Sequence, residues 1–351
     1  MQISVDVLES RADPYTFGFN QGIRLQSMPV FNKHRKRCKK SIRSYTTDLQ
    51  EYTDWIKQIK PDLLDELRGL SDAIGWKTED VIHEYGGFQS SWVKSGCSAM
   101  MPPGQYVRNY DYHPKTYDGR FVLYQPNSGY AHIGFAQRVI GRMDGMNSEG
   151  LGVGYHFVNR LRPEKGFICT TVTRLILETC KDVDEATALL SSLPHRFAFN
   201  YSLADASGRS VVIETSSKGV HVHDETLRIC SNHFFSVEKE HENRNFLTET
   251  KERYEKLQQQ YQEDLSPLQA FTRINHLDFG IAKTDYKNSA GTIHSAVYDL
   301  RHLKVYAGIG TDAKPVVINF KQWLSGTPVY YSKLKGVIPE IEGAEHLEVQ
   351  T

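Results

Sequence analysis

The sequence lacks several features that would have pointed to common classes of protein. No apolar run approaches the roughly 18 residues that a membrane-spanning helix needs, and the first residues show neither the basic nor the apolar stretch of a signal peptide. A glycine-rich phosphate loop and a dinucleotide-binding fingerprint are also missing. The 14 histidines form no metal-spaced cluster. These absences argue against kinases, nucleotide-dependent oxidoreductases and zinc hydrolases.

The charged residues leave no broad field of one sign. Lys and Arg number 42, Asp and Glu also number 42, and the net charge is zero. We therefore expect neither nucleic acid nor an anionic membrane as a partner. The one local exception is the basic run at 34–40. Such a run usually forms a solvated helix face or loop, which we favour, but it could also meet an anionic substrate tail or coenzyme.

The cysteines are few, odd in number and scattered, at Cys38, Cys97, Cys169, Cys180 and Cys230. Their spacing fits neither a metal site nor a disulfide framework. We therefore predict reduced thiols in a cytoplasmic protein, four of them buried for structural reasons.

The order of predicted elements indicates the fold class. Residues 1 to about 95 are predicted to be mostly helical, with a first helix within 9–26 for which Asp13-Pro14 is a plausible start. Short strand-like runs follow Cys97, among them 137–143, and two helices then separate them from a second group of strands. A charged helix over 238–262, another helix and the last strands complete the chain. An α+β fold with two packed antiparallel sheets and helices outside both accommodates this order.

Cys97 is the first candidate for chemistry. It follows Gly96 and precedes Ser98 and Ala99 at the start of a predicted strand. Glycine permits strain and close approach, and the small neighbours leave the thiol uncrowded. The same residue could equally be a buried small hydrophobe, as most free cysteines are.

Three further residues could support a nucleophile. Arg108 and Asp111 lie on the next predicted strand, where a buried arginine would favour a thiolate and a carboxylate could orient an amine. An ordinary ion pair is the alternative. Asn232 follows a later strand, where asparagine is most often a turn residue, but a rigidly held amide can also stabilise an oxyanion.

Six motifs, taken together, resemble a known family. They occur in the order Gly96-Cys97-Ser98, Arg108-Asn109-Tyr110-Asp111, Gly145 to Leu151, Leu203 to Gly208, Ser231-Asn232-His233, and Thr292-x-His294-Ser295-x-Val297-x-Asp299. This set resembles the acyl-coenzyme A:6-aminopenicillanic acid acyltransferase group (peptidase C45), relatives of the choloylglycine hydrolases and penicillin V acylases. The resemblance runs from about residue 85 to 310.

The resemblance implies a four-layer αββα sandwich, the fold of N-terminal-nucleophile hydrolases. It implies a zymogen that cuts its own Gly96–Cys97 bond, leaving a helical propeptide-like segment, 1–96, packed on a catalytic domain, 97–351. The freed α-amino group of Cys97, with a pKa of about 7.7–8.0, would then activate the thiol. An acyl group from a linear amide or thioester would pass to Cys97, and water or an amine would release it.

The family pattern also implies roles for individual residues. Asp111 would orient the Cys97 amine, Arg108 would set the local charge, Asn232 would contribute to the oxyanion hole, and Ser295 and Thr292 would lie near the nucleophile. The predicted substrate contacts are Tyr110, Tyr155, His156 and His233, and aromatic residues near the site suggest an apolar acyl group.

The sequence departs from bile salt hydrolases at two places. His156 stands where those enzymes carry a second site asparagine, and their late arginine has no clear counterpart beside Ser295. The long segment before Cys97 favours the acyltransferase group. We predict an amidohydrolase or acyltransferase for a small-molecule amide or acyl donor, with no cofactor and with homo-oligomers left open. An uncleaved, inert binding or scaffold protein of the same fold is the alternative.

Overall fold

The computed structural model describes residues 1–92, 96–160, 163–288 and 290–349. The helices of these ranges are α1 (Pro14–Ser27), α2 (Val30–Ser41), α3 (Leu49–Ile59), α4 (Asp62–Ile74), α5 (Thr78–Tyr85), α6 (Cys169–Thr179), α7 (Val183–Ser192), α8 (Thr248–Gln260), α9 (Pro267–Asn275) and α10 (Phe320–Leu324). The strands are β1 (Gln2–Ser10), β2 (Gly96–Met100), β3 (Gln105–Tyr112), β4 (Arg120–Tyr124), β5 (His132–Gln137), β6 (Gly141–Arg142), β7 (Asp144–Asn147), β8 (Gly152–Asn159), β9 (Ala198–Ala204), β10 (Ser210–Ser216), β11 (Gly219–Val222), β12 (Ile229–Cys230), β13 (Thr284–Asp285), β14 (Ala290–Asp299), β15 (Lys304–Gly310), β16 (Val316–Asn319) and β17 (Lys333–Val337).

The strands form two groups that meet at one edge. The first group runs β11-β10-β9-β8-β7-β5-β4-β1-β17, antiparallel except where β1 pairs with β4. The second group runs β12-β2-β3-β14-β15-β16 and is antiparallel throughout. A short parallel pairing of β15 with β17 joins the two groups.

The two groups pack face to face. The Tyr106 hydroxyl on β3 lies 2.8 Å from the Ser202 hydroxyl on β9, and Arg108 donates to the Tyr155 carbonyl oxygen on β8. Gly154 is required at the crossing, because a Cβ there would come within 2.3 Å of the Tyr106 hydroxyl oxygen. Their inner faces therefore form one buried layer between two sheets.

Helices cover both outer faces. Helix α6 packs on β6, β7 and β8 and α7 packs on β9 and β10, while α8 packs on β2 and α9 on β3, β14 and β15. The architecture is therefore the predicted α+β sandwich with layers α, β, β and α.

The N-terminal segment is helical over α1 to α5, as predicted, but the chain starts with a strand. Ile3, Val5 and Val7 alternate with more exposed residues, a period of two that indicates a strand. Strand β1 lies between β17 and β4. Residues 9 and 10 therefore belong to this strand and not to the first predicted helix. Helix α1 begins at the predicted start, Pro14, where the Asp13 carboxylate accepts from the Thr16 N–H.

Two other predicted elements are shorter than expected. The strand predicted over 137–143 is interrupted because Arg138 and Val139 take positive φ angles of 55° and 63° in a tight turn. The charged helix predicted over 238–262 begins only at Thr248. The two helices predicted between the groups of strands are α6 and α7, and the Asp182 side chain caps the second.

Buried polar contacts fasten the N-terminal segment to the rest of the chain. Glu66 on α4 accepts from Arg174 on α6 at 2.8 Å and from Gln21 on α1 at 2.7 Å. One large cluster of buried apolar side chains includes residues from both sides of Gly96. The segments 1–96 and 97–351 thus share a sheet and a core. No helix of the described ranges combines the length and apolar character of a membrane span.

Candidate active site

Cys97 lies on β2, between β3 and the edge strand β12 of the second sheet. It pairs with Tyr110 on β3, while Gly96 pairs with Asp111. Residues that are directly opposite in a sheet share a face, and successive residues alternate between faces. The Cys97 side chain accordingly points between the two sheets with Arg108 and Tyr110, and it is fully buried.

The thiol of Cys97 has one charged neighbour. An Arg108 guanidinium nitrogen, Nη2, lies 3.3 Å from the sulfur and donates to it. Burial raises the pKa of the Cys97 thiol to about 11, although Arg108 acts in the opposite direction. In the uncut chain the thiol therefore keeps its proton at neutral pH.

Arg108 is itself held by a buried carboxylate. Its Nε lies 3.0 Å from Asp144 Oδ2, and the same carboxylate accepts from His294 at 2.9 Å and from Tyr298. Burial opposes ionisation of Asp144, but His294, Arg108 and Tyr298 outweigh it and hold its pKa below the usual value. The sequence prediction missed Asp144, although it directly precedes the Gly145 to Leu151 motif.

The backbone of Cys97 is fixed by two side chains. Its N–H donates to Asn232 Oδ1 at 2.7 Å, and its carbonyl oxygen accepts from Arg253 Nη1 at 3.0 Å. Arg253 Nη1 also donates to Asn232 Oδ1 at 3.0 Å. One Asn232 amide hydrogen goes to the Phe157 carbonyl oxygen at 2.9 Å, which leaves the second hydrogen of that group for another acceptor.

Arg253 was not predicted from the sequence. It lies on α8, whose buried positions Thr250, Arg253 and Leu257 have helical spacing but stand among many exposed charges. Glu249 lies one turn earlier on α8 and pairs with Arg253, and Lys283 approaches Glu249 within 2.9 Å. The only sequence signal was this periodicity.

Asp111 lies beside Gly96 on the helix-covered face of the sheet. Its Oδ1 accepts from the Thr292 hydroxyl at 2.7 Å. Its Oδ2 lies 3.6 Å from Arg253 Nη1 and has no hydrogen-bond partner among the described residues. Burial raises the pKa of Asp111, while Arg253 and Thr292 act against the shift. One carboxylate oxygen next to the Gly96–Cys97 bond thus has an ion-pair contact but no hydrogen-bond donor among the described residues.

The structure does not bring Ser295 to Cys97. Ser295 on β14 pairs with Asn109 on β3, and Asn109 pairs in turn with Ser98 on β2. Its hydroxyl donates to Asn109 and accepts from Asn275 on α9. These residues lie on the face opposite the thiol, because strand side chains alternate. Thr292 reaches the site only through Asp111.

The four predicted substrate contacts separate into two groups. Tyr110 and Tyr155 have their rings 5.9 and 5.3 Å from the Arg108 guanidinium, and His156 Nε2 lies 3.4 Å from Arg108 and 2.8 Å from the Ser202 hydroxyl. Burial and Arg108 keep the pKa of His156 well below its usual value. His233 instead contacts Ser231 and Thr250 on the α8 side, and burial lowers its pKa to about 4.

The five cysteines of the chain are unpaired and buried. In the described ranges, no three or more His, Cys, Asp or Glu side chains are grouped so as to hold a metal ion. The chemistry available around Cys97 therefore comes from a thiol, two guanidinium groups, one amide and two buried carboxylates.

A comparison with protein-family models shows which family the chain belongs to. Residues 100–314, more than half of the sequence, match the model described as acyl-coenzyme A:6-aminopenicillanic acid acyl-transferase. The chain belongs to this acyl-transferase family. The match begins just after Cys97 and confirms the resemblance based on the six motifs. No curated protein matches this chain.

Several solved structures are similar to this member of the acyl-transferase family. A penicillin V acylase from Agrobacterium tumefaciens shares 15% identity over 67% of this chain and 82% of its own, with a TM-score of 0.43. A mutant conjugated bile acid hydrolase from Clostridium perfringens shares 12% identity over 65% of this chain and 93% of its own, with a TM-score of 0.44. An N-acylethanolamine-hydrolyzing acid amidase ortholog from Caenorhabditis elegans shares 14% identity over 59% of this chain and 93% of its own, with a TM-score of 0.41.

Proposed function

We propose that the protein is a cysteine N-terminal-nucleophile amidohydrolase or acyltransferase that acts on a linear amide or thioester through an acyl-Cys97 intermediate. The observation that carries the proposal is the convergence on one cysteine of Arg108 at its sulfur and of Asn232 and Arg253 at its backbone. An inert packed cysteine needs none of these contacts.

The proposed activation step is self-cleavage at Gly96–Cys97. The Cys97 sulfur attacks the Gly96 carbonyl carbon, the C–N bond breaks, and the thiol proton ends on the departing nitrogen. The resulting thioester reacts with water to give a Gly96 carboxylate, a free thiol and a free α-amino group. Asn232 and Arg253 hold the two backbone groups of Cys97 during these changes.

In the cut enzyme the α-amino group acts as the base. It takes the thiol proton while Arg108 stabilises the thiolate across 3.3 Å, and the sulfur attacks the substrate carbonyl. The leaving amine takes up a proton, and a thioester would release a thiol instead. Water or an acceptor amine then attacks the acyl-Cys97 carbonyl carbon and regenerates the thiol.

Two side chains suit this cycle. Asp111 Oδ2, which lies on the residue paired with Gly96 and has no hydrogen-bond donor among the described residues, would accept from the new amine. The second amide hydrogen of Asn232 suits a developing oxyanion, for which one well-placed donor contributes about 2.7–4 kcal/mol. Both roles are part of the proposal.

The decisive experiment is intact mass spectrometry of the purified wild type and of Cys97→Ala. We expect two fragments, 1–96 and 97–351, from the wild type and one chain from the variant. Cys230→Ala is the matched control, because Cys230 is also fully buried yet should leave cleavage unchanged. A wild type that stays uncut and inactive would contradict self-activation.

A second candidate function is an uncleaved binding or scaffold protein. Full burial of Cys97 and a thiol pKa of about 11 favour it, because such a thiol is a poor nucleophile at neutral pH. Native-state alkylation by iodoacetamide separates the two candidates. Slow labelling of Cys97, together with an intact chain, would support the binding protein.

A further inference from the structure

An open cavity of about 800 Å³ lies outside the site described above. One wall comes from the end of α2 and the turn after it. The other wall comes from Trp92, the end of β8 and the residues before β9. Its size falls in the range of about 300–1,000 Å³ that is typical of small-molecule sites.

The charge of the cavity wall has one sign. Among the described residues, four basic side chains line it, Arg37, Lys40, Arg160 and Arg196, and no carboxylate does. Arg37 is neutralised by Glu84, which lies behind the wall. The other three have no carboxylate partner among the described residues, and both Arg160 and Lys40 are exposed at the rim. The cavity is therefore electrostatically suited to an anion.

Aromatic side chains complete the cavity. Tyr45, Trp92 and Phe197 line it, and the Arg196 guanidinium lies 6.0 Å from the Tyr45 ring and 5.2 Å from the Phe197 ring. The Trp92 Nε1–H is buried with no hydrogen-bond partner among the described residues.

A short series of packed side chains lies between the cavity and the nucleophile. The Trp92 ring meets the Tyr155 ring edge-on at 5.7 Å, and Tyr155 lies against Arg108, which contacts the Cys97 sulfur. Strand β8 carries Tyr155 and reaches the cavity at Asn159. Because a strand rises about 3.3 Å per residue, these two positions are about 13 Å apart.

We propose that this cavity is a subsite for an anionic group, a phosphate or carboxylate, of the substrate whose carbonyl reacts with Cys97. The inference rests on the proposed function. The basic side chains would bind the anion, and the aromatic rings would contact the apolar part of the substrate that connects it to the amide or thioester. The basic run at 34–40 would thus supply Lys40 to substrate binding.

Binding can be measured without catalysis. The full chain carrying Cys97→Ala is titrated calorimetrically with phenyl phosphate, benzoate and the neutral benzyl alcohol. We expect both anions to bind, more weakly as salt rises, and the alcohol not to bind. The anion that binds with the higher affinity identifies the group that the site prefers. Lys40→Glu should weaken anion binding at least about tenfold, because a charged hydrogen bond is replaced by repulsion.

The matched control is Lys39→Glu. Lys39 is exposed on the same helix but does not line the cavity, so its reversal should change the affinity by less than about twofold at physiological salt. No anion binding by the parent protein, salt-independent binding, or an equal loss in both variants would overturn the subsite.

A kinetic comparison separates this inference from the proposed function. With wild type, kcat/KM is measured for an N-acyl amino acid and for its uncharged methyl ester. We expect the acid to be preferred, and Lys40→Glu to raise KM for the acid alone. Equal rates for both substrates would overturn the subsite and leave the Cys97 chemistry standing. Anion binding without any amide cleavage would instead overturn the proposed function.

Discussion

The buried pair of Glu66 and Arg174 allows a quantitative test of how the N-terminal segment is attached. Both side chains are almost inaccessible, with relative exposures of 2% and 1%, and Glu66 also accepts from Gln21. In Glu66→Gln the Arg174 guanidinium loses one of its two carboxylates and keeps Glu178. Breaking a buried pair costs about 3–5 kcal/mol. Because Arg174 keeps Glu178 as a partner, we expect the free energy of unfolding to fall by about 3 kcal/mol, the lower end of this range.

The measurement is urea unfolding of the Cys97→Ala chain, whose covalent state is fixed, with and without Glu66→Gln. The control is Asp65→Asn on the same helix, because Asp65 forms an exposed pair with Arg68 and should contribute at most about 1 kcal/mol. If Glu66→Gln and Asp65→Asn lower the free energy of unfolding equally, the reasoning that burial makes this contact important is refuted.

Three further predictions concern the nucleophile. Arg253→Lys should slow self-cleavage, which is followed by mass spectrometry over time, because lysine lacks the planar guanidinium that contacts the Cys97 carbonyl oxygen and Asn232 Oδ1. The control Lys251→Arg, at an exposed position of the same helix, should have no effect. Gly96→Val should slow cleavage about 100-fold, since a Cβ there would already lie 3.2 Å from the Asp111 Cβ; rapid cleavage of this variant would refute the crowding argument. In uncut Gly96→Val, alkylation of Cys97 should be slow at neutral pH and accelerate toward a pKa of about 11. That pKa exceeds the ordinary value of about 8.5, so the unfolded chain loses its proton first, and the thiol's contribution to stability disappears as the pH rises between these values.

The sequence was sufficient for the parts of the site that lie in local motifs. Cys97, Arg108 and Asp111 lie on two adjacent strands joined by a short turn, so neighbours in sequence are neighbours in the sheet. Asn232 was predicted from the motif in which it stands. In each case a short stretch of residues carried the information.

Other parts of the site depend on contacts between distant segments. Arg253 is 156 positions from Cys97, and only the packing of α8 on β2 brings them together. The family resemblance implied that Ser295 lies near the thiol, but strand register decides the face on which a side chain lies, and a shift of one residue reverses it. Local sequence patterns do not specify register between distant strands.

The first strand of the chain has a consequence for how the two proposed fragments behave. Because β1 fills the space between β4 and β17, the chain 97–351 expressed alone would present two unpaired strand edges to solvent. Such edges recruit other chains and favour aggregation. We therefore expect this fragment to be insoluble by itself and to become soluble when 1–96 is co-expressed. The segment 1–96 would then be a permanent subunit of the cut protein.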